Sequence, residues 1–425
     1  MGSSRASTSL SEGLSPPPAL RRTDAILYVL ASGLAGLGLG IALFYLNFLY
    51  RALGLDARAI GLLSAAQALG VVAGALPATF LSQRVPRRSA IFIGGSVTGV
   101  GIVGILTQGT LAPLFISATL LGAGGIVVAS SGTALVADAT IGLDRPRMFG
   151  RQVALGALAS FVAISVAGAL ASPVGALIGR APEDALTIRA VIAIGGVLAI
   201  VSAIPILFVR TAPIAAGRLD PPHRRQLLLR FAAVEVAFGF GAGSFLPFQN
   251  LFFADRFGLS IAGVGVALGA LAVAGSAGAL LSGRFLVPWL GTTKAAVASV
   301  FGSLPFALVA AVTGEPLVAG VALGIRAALM YGASPAVTAL QQSSFAPAER
   351  AGVVVLFAIA WNGANAGGAA LSGLVRAELG PSGYTANLVI LIAAYAVAAL
   401  LIQAFFCGHE PRGDIAGRLP ADSAG

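Results

Sequence analysis

The stretch RTAPIAAGRLDPPHRR, from Arg210 to Arg225, lies midway along the chain and separates two long apolar regions. It contains three prolines, four arginines and one histidine. Proline and charge at this density do not continue a membrane-spanning helix, so the stretch is predicted to be a linker at the membrane surface. The linker divides the chain into one apolar region before it and another after it.

The two apolar regions follow the same plan. A shift of 202 to 204 positions superimposes glycines of the second region on glycines of the first. A nearly constant offset over about 200 residues indicates a tandem duplication. Because the hydrophobic segments come in the same order in both regions, the repeat is parallel rather than inverted. The superimposed pairs are Gly54 with Gly258, Gly61 with Gly265, Gly122 with Gly324 and Gly150 with Gly352.

The composition is typical of a membrane protein. Of the 425 residues, 57% are hydrophobic and 10% are charged, and the mean hydropathy is +0.93. Soluble domains carry about 25% charged residues. The single cysteine, Cys407, excludes an internal disulfide, and His223 and His409 both lie in polar segments, so we expect no metal site, no cofactor and no catalytic centre. We attribute the net charge of +10 to arginines at a membrane surface, and we expect no nucleic acid as a partner.

Apolar runs of about 20 residues, each long enough to cross a bilayer, recur along the whole chain. We predict twelve membrane helices, six on each side of the linker. Those before the linker run at 24–50, 58–82, 88–108, 111–137, 149–172 and 187–209. Those after the linker run at 226–253, 260–283, 293–313, 316–343, 350–375 and 383–406.

The basic residues predict the orientation in the membrane. With a cytoplasmic N-terminus, nineteen of the 26 Lys and Arg residues lie on the cytoplasmic side, six lie outside and one, Arg326, lies within a span. This distribution places both termini in the cytoplasm. The polar segments 1–22 and 408–425 are predicted to be cytoplasmic tails, and the first of them to be disordered.

The loop between the second and third predicted helices carries a recognisable motif. It reads Leu-Ser-Gln-Arg-Val-Pro-Arg-Arg from Leu81 to Arg88. It resembles the signature of the major facilitator superfamily, Gly-x-Leu-Ala-Asp-Arg-x-Gly-Arg-Arg. Leu81, Arg84, Arg87 and Arg88 match, whereas Gln83 stands in place of the signature aspartate. Together with the two six-helix regions and the basic linker, the resemblance covers nearly the whole chain.

The resemblance implies an all-α membrane protein with twelve transmembrane helices in two parallel six-helix repeats. The expected parts are a tail at 1–22, a first bundle at 23–209, a linker at 210–225, a second bundle at 226–407 and a tail at 408–425. It also implies that the protein is a monomeric secondary transporter in the cell membrane. Such a transporter carries a small solute by alternating access, in which the two bundles rock about a central site.

In the resembled family, the aspartate of the motif helps to latch the two halves together. Gln83 supplies no charge, so a latch at this loop rests on neutral hydrogen bonds or lies elsewhere. Asp138, at the predicted cytoplasmic end of the fourth helix, is a candidate ion-pair partner for Arg84 or Arg87. The alternative is that Asp138 is a solvated charge at a helix end.

Two ionisable residues, Glu235 and Arg326, lie well inside predicted spans. A charge near the middle of the bilayer costs about 2.5–3.5 kcal/mol on insertion scales, so such a residue usually faces a cavity or a partner. Glu235 is a candidate carrier of a coupling proton and Arg326 a candidate ligand for an anionic group of the solute. Their predicted depths differ by roughly 12 Å, which leaves a structural ion pair between them as the alternative.

Other polar residues within the predicted spans are candidates for solute binding. In the resembled fold, the first, fourth, seventh and tenth helices line the central cavity. Pro247 is expected to interrupt the seventh helix and to free a backbone carbonyl there. Packing and hydrogen bonds between helices are the alternative role for all of these side chains. The candidates are Asn47, Gln67, Gln249, Asn250, Trp361, Asn362 and Asn365.

Three functions remain open at this point. The first is a secondary active transporter of a small organic solute, either anionic or amphipathic, with or without coupling to protons. The second is a facilitator without ion coupling. The third is a membrane-embedded transferase, which the sequence disfavours because the spans contain a lone glutamate and no histidine. No Gly-rich phosphate loop with lysine occurs, so ATP is not expected to drive the process.

Overall fold

The computed structural model describes residues 22–139, 145–208, 223–346 and 349–407. The predicted N-terminal tail, apart from its last residue, lies outside these ranges. Most of the predicted linker and the whole predicted tail at 408–425 also lie outside these ranges.

The described chain forms helices throughout, and no strand occurs in the described ranges. The helix bounds agree with the predicted ones to within several residues. The first half comprises α1 (Arg22–Ala52), α2 (Ala57–Arg84), α3 (Arg87–Thr107), α4 (Leu111–Ala139), α5 (Arg145–Ile178) and α6 (Ala185–Leu207). The second half comprises α7 (Arg225–Phe257), α8 (Ile261–Leu290), α9 (Thr292–Val312), α10 (Pro316–Ser344), α11 (Arg350–Leu379) and α12 (Gly383–Phe406).

The helices are long and apolar enough to span a membrane. Eleven segments of the described chain meet this criterion, and the last of them, Gly352–Phe406, is 55 residues long. It contains both α11 and α12, which meet at a short 3-10 turn at Gly380–Ser382. Counted separately, these two helices bring the number of spans to the predicted twelve.

The internal repeat appears in the turns that follow α1 and α7. Gly54 and Gly258 both adopt left-handed backbone conformations, with φ of 78° and 64°, which glycine reaches without a steric penalty. The next helix in each half starts with a side-chain cap. The side chain of Asp56 accepts a hydrogen bond from the N–H of Ala59, and that of Ser260 accepts one from the N–H of Gly263. Gly54 and Gly258, like Asp56 and Ser260, are 204 positions apart.

The seventh helix is interrupted where Pro247 predicts it. The α-helix from Arg225 ends at Phe245, a 3-10 turn covers Leu246–Phe248, and α-helix resumes at Gln249. Proline has no N–H for the helix ladder and clashes with the preceding turn, which explains the position of the break. Because of this break, the helical register after Pro247 differs from the register before it.

The two halves meet through α2 against α11 and through α5 against α8. Both contacts depend on glycine. A Cβ atom added to Gly61 would lie 2.7 Å from Cα of Gly373, and one added to Gly168 would lie 2.7 Å from Cα of Gly265. Both pairs lie towards the end of the bundle at which α1 and α7 finish, opposite the start of α1 and the end of α12. We call this the distal end.

A buried carboxylate fixes the entry to α11. The Glu349 side chain accepts hydrogen bonds from the backbone N–H groups of His223 at 2.7 Å and Ala346 at 3.2 Å. The bond from His223 is the main reason that the pKa of Glu349 lies below its usual range. Glu349 thereby joins the segment before α7 to the turn between α10 and α11.

Within the second half, Gly278 lets α8 approach α10 closely. A Cβ atom at Gly278 would lie 2.0 Å from the backbone carbonyl oxygen of Ala328, whereas one at Gly320 would meet nothing within 4 Å. We expect Gly278→Ala to force the two helices apart and to destabilise the protein by about 1–3 kcal/mol, a typical result of overpacking. Thermal unfolding in detergent should show a lower Tm.

The matched control is Gly320→Ala on α10, which adds the same methyl group to open space. Alanine is a better helix former than glycine by about 1 kcal/mol, so this variant should unfold at the same temperature or higher. Equal unfolding temperatures for the two variants would contradict the close packing at Gly278.

Candidate functional site

A two-lobed cavity lies between the helices near the middle of the bundle. One lobe has a volume of 390 Å³ and the other 330 Å³. Trp361 and Asn362, both on α11, line both lobes and so form the wall that the lobes share. We name the lobes after one residue of each, the Glu235 lobe and the Asn47 lobe.

The Glu235 lobe lies within the second half, between α7, α10, α11 and α12. The half-buried carboxylate of Glu235 accepts a hydrogen bond from Nε2 of Gln341 at 2.6 Å. A neutral amide is thus the partner of this charge. The apolar part of the wall comes from the rings of Phe238, Phe357 and Tyr395 and from Met330.

The Asn47 lobe is lined by both halves. Asn47 and Gln67 contribute from α1 and α2, and Trp361, Asn362 and Asn365 contribute from α11. Because side chains of both halves face the same space, any movement of the halves changes the shape of this lobe. All five residues were candidates from the sequence.

Glycines of α7 place the α11 side chains at the cavity. A Cβ atom on Gly239 would lie 2.2 Å from the carbonyl oxygen of Trp361, and one on Gly243 would lie 2.1 Å from that of Asn365. The two backbones therefore touch, as small residues permit between membrane helices. The indole and amide groups of α11 consequently project beside α7.

The carbonyl that the break in α7 frees has a partner in the other half. Nδ2 of Asn47 donates to the backbone oxygen of Pro247 at 2.6 Å and to Oδ1 of Asn250 at 2.9 Å. Nδ2 of Asn250 in turn donates to the backbone oxygen of Phe44 at 3.0 Å. Asn47 and Asn250 thus join α1 to α7, and Asn250 lines neither lobe.

Two other amides of the site donate to backbone oxygens of their surroundings. Nδ2 of Asn362 donates to the carbonyl of Ala358 at 2.8 Å, and Nδ2 of Asn365 donates to the carbonyl of Gly239 at 3.4 Å. Each partner is an oxygen that only accepts, so the nitrogen of each amide must face it. The amide oxygens are left for another partner.

Arg326 and Gln249 do not line either lobe. Arg326 is 3% exposed, and its guanidinium lies 5.2 Å from the centre of the Tyr395 ring. Its Nε and Nη2 atoms have no hydrogen-bond partner among the described residues, and no ion pair joins it to Glu235 there. Gln249 follows the break in α7, so the helical face that contains Glu235 does not continue to it.

A cluster of charged residues at the distal end was not predicted as part of the site. Arg51 of α1 forms an ion pair with Asp255 of α7 across the two halves. The hydroxyl of Tyr384 donates to Oδ2 of Asp255 at 2.6 Å, and Nη1 of Arg376 donates to that hydroxyl oxygen at 3.4 Å. We call these four residues the distal cluster. A second ion pair across the halves, Arg58 with Glu378, lies at the same end.

The sequence held a signal for this cluster. Arg51 and Asp255 are 204 positions apart, the same offset as Gly54 and Gly258. Residues at equivalent positions of a parallel repeat come together near the axis that relates the two halves. Opposite charges at such positions therefore predict a contact between the halves.

Arg376 is the buried member of the distal cluster. It is 6% exposed, and its guanidinium lies 4.1 Å from the centre of the Phe248 ring on the segment that breaks α7. By contrast, the Arg51 and Asp255 side chains are 42% and 37% exposed. Solvent weakens an ion pair of this kind to about 1 kcal/mol or less, so it can open readily.

The motif loop lies at the opposite end of the bundle. The guanidinium of Arg84 lies 4.0 Å from the centre of the Phe80 ring, and Arg84 and Arg88 are exposed while Arg87 is half-buried. The side chains of Gln83 and Asp138 are outside the described part of the chain. The predicted latch between this loop and Asp138 therefore stays a prediction.

Comparisons with known proteins identify the architecture. A family model described as Major Facilitator Superfamily matches residues 28–369. No curated protein sequence matches. The described part of the chain contains no group of three or more His, Cys, Asp and Glu side chains that could hold a metal ion.

Several solved transporter structures resemble this one in fold. A mutant of the nucleoside transporter NupG has 16% identity and a TM-score of 0.71, with 90% of this chain and 100% of that chain covered. A bacterial homologue of the human lysosomal transporter Spinster, in an inward-facing and unoccupied conformation, has 17% identity and a TM-score of 0.71, covering 89% and 95%. A D-xylose–proton symporter has 14% identity and a TM-score of 0.70, covering 92% and 98%.

The ion pair between Arg51 and Asp255 yields a prediction about the distal end. We expect Arg51→Glu, which sets two carboxylates side by side, to favour separation of the halves there. For an exposed pair the effect is about 1 kcal/mol, or about fivefold in the ratio of open to closed molecules. Spin labels on the distal ends of α1 and α7, in a Cys407→Ser background, would report a larger share of long distances.

The double variant Arg51→Glu/Asp255→Asn is the control. It removes the repulsion but keeps an acceptor for the Tyr384 hydroxyl, so the label distances should return towards those of the unchanged pair. Identical distance distributions in all three proteins would show that the pair does not hold the distal end closed.

Proposed function

Because this chain belongs to the major facilitator superfamily, we propose that it is a secondary transporter that carries a small organic solute through the two-lobed cavity by alternating access. The family indicates a multi-pass membrane transporter with a small-molecule substrate rather than an enzyme. The observation that carries the finer proposal is the shared wall of Trp361 and Asn362. These two residues line both the lobe formed by the two halves and the lobe that contains the half-buried carboxylate of Glu235.

The contacts between the halves support a rocking movement. At the distal end they are glycine backbone contacts, two exposed ion pairs and the hydrogen bonds of Asn47 and Asn250. None of these requires a helix to unfold when it opens. Together, these weak contacts would hold the distal end closed in one of the two states of the alternating-access cycle.

Glu235 is the proposed carrier of a coupling proton. It is half-buried within a span, it can gain or lose a proton, and its partner Gln341 is neutral. A buried ionisable group in a membrane protein is functional by default, because a purely structural role is costly to maintain. Tyr395 is the other titratable residue on the wall of this lobe, and Arg326 lies behind its ring.

The orientation proposed from the arginines assigns each end of the bundle to one side of the membrane. With both termini in the cytoplasm of a cell-membrane protein, the distal cluster would close the outer side. The motif loop with Arg84, Arg87 and Arg88 would then lie at the cytoplasmic face. We retain a monomer as the functional unit, because each chain has its own complete cavity.

Flux through the reconstituted protein tests the proposal. Proteoliposomes containing a pH-sensitive dye would be exposed to a panel of organic solutes, with and without an imposed pH gradient. We expect at least one solute to move and its movement to be accompanied by a net movement of protons, in the same direction or in exchange. Absence of flux for every solute class in the panel would contradict the transport proposal.

Substitution of Glu235 separates coupled transport from passive facilitation. We expect Glu235→Gln to abolish gradient-driven accumulation, which for one coupled proton reaches about tenfold for each unit of the pH gradient. Exchange of labelled for unlabelled solute, which needs no net proton movement, should persist. The control is Glu315→Gln, which alters an exposed glutamate in the turn before α10. Undiminished accumulation by Glu235→Gln would favour a facilitator without ion coupling.

A further inference from the structure

The polar wall of the cavity is rich in hydrogen-bond acceptors and carries one negative charge. From this we propose that the solute is an organic cation that donates hydrogen bonds, such as a protonated amine, and that its ammonium group binds Glu235. The inference rests on the proposed function, because it names the class of solute for the same cavity. It replaces the anionic solute considered from the sequence.

The first argument is charge. Glu235 is the sole Asp, Glu, Lys, Arg or His among the described residues that line the two lobes. The guanidinium of Arg326, which suggested an anionic solute, lies 5.2 Å from the centre of the Tyr395 ring and lines neither lobe. A solute in this cavity therefore meets a negative charge and no positive one.

The second argument is the direction of the amide groups. Asn47 uses both of its N–H groups, on Pro247 and Asn250, while Asn362 and Asn365 each use one on a backbone carbonyl. Gln341 likewise uses one N–H group on Glu235. The side-chain oxygens of these four residues have no hydrogen-bond partner in the described part of the chain.

The wall therefore offers unmet acceptors beside its one charge, together with the hydroxyl groups of serine, threonine and tyrosine side chains that both donate and accept. Each free amide oxygen offers two lone pairs, and the carboxylate of Glu235 offers more. Gln67, Gln342 and the indole N–H of Trp361 add donors, which suit polar groups elsewhere on the solute. A solute that brings N–H donors matches this wall better than one that brings only acceptors.

An ammonium group satisfies both conditions at once. It carries a positive charge and three N–H donors, so it can neutralise Glu235 and bond to the oxygen of Gln341. In the low dielectric of a membrane protein, such a charge-assisted bond is stronger than one between neutral groups. The aromatic rings of Phe238, Phe357 and Trp361 give the apolar body of the solute a surface, and they attract a cation to their faces.

An anionic solute fails on the same grounds. Its charge would be repelled by Glu235, and no cationic side chain among the described residues lines the lobes to offset that repulsion. The size of the cavity does not restrict the choice, because lobes of 390 and 330 Å³ fall in the usual range for organic ligands.

The chain provides its own reporter for a binding test. Of its two tryptophans, Trp361 lines both lobes, whereas Trp289 lies on the surface of the protein and is 80% exposed. In a Trp289→Phe background, tryptophan fluorescence excited selectively over that of the six tyrosines therefore reports on the cavity. The probes are phenylbutylamine, phenylbutanol and phenylbutyrate, which share a phenyl ring on an unbranched four-carbon chain and differ in the charge of the head group.

We expect the amine to change Trp361 fluorescence with an affinity about tenfold or more above that of the alcohol, as a hydrogen bond to a charged group provides. Phenylbutyrate should bind more weakly than the alcohol. In the Glu235→Gln variant the amine and the alcohol should differ by no more than about twofold, because the charge-assisted bond is lost. The Glu315→Gln variant should keep the full preference for the amine.

Three outcomes would overturn the inference. Tighter binding of phenylbutyrate than of phenylbutanol is one, and a preference for the amine that survives in Glu235→Gln is another. Equal binding of amine and alcohol to the unchanged cavity is the third. The flux experiment decides on transport separately, so a neutral solute that moves across the membrane would leave the proposed function standing while this inference fails.

Discussion

The contact between the halves at the distal end is the constraint on which the other features depend. Gly61 with Gly373 and Gly168 with Gly265 allow backbone contact, and no larger residue fits at this separation. The weak ion pair of Arg51 and Asp255 adds polarity to the same end. The halves touch at the distal end, and the lobe that both halves line lies on the other side of this contact, nearer the middle of the bundle. A contact made of small and polar groups holds this arrangement without making it permanent.

Glu235 and Arg326, the two charged residues well inside the spans, do not pair with each other. Glu235 faces the space and is held by a neutral amide, while Arg326 is packed against Tyr395 behind the wall. An ion pair between them would have neutralised both charges and left only neutral polar groups on the cavity wall. Their separation leaves the carboxylate available, which is what a site for a proton or a cation requires.

Some site residues follow from sequence reasoning and others do not. Trp361 and Asn362 could be proposed because they are polar or aromatic groups within one turn of an apolar helix, and both line the cavity. Gln249 was proposed as a polar residue within a predicted span, but it lies beyond the break at Pro247 and lines neither lobe. Arg376 was counted as a residue outside the membrane, yet it is buried over the Phe248 ring, because long side chains near helix ends fold back onto apolar surfaces.

The sequence by itself determined the fold class, the positions of the helices and the duplicated plan. Length, apolarity and the spacing of glycines are local properties, and a helix in a membrane must satisfy its hydrogen bonds within its own segment. Only the tertiary structure decided which polar groups share a space. Asn47 meets Asn250, and Arg51 meets Asp255, at sequence separations of about 200 residues. Such contacts, and the side of a helix on which Arg326 lies, depend on how the helices pack, which no pattern within one helix determines.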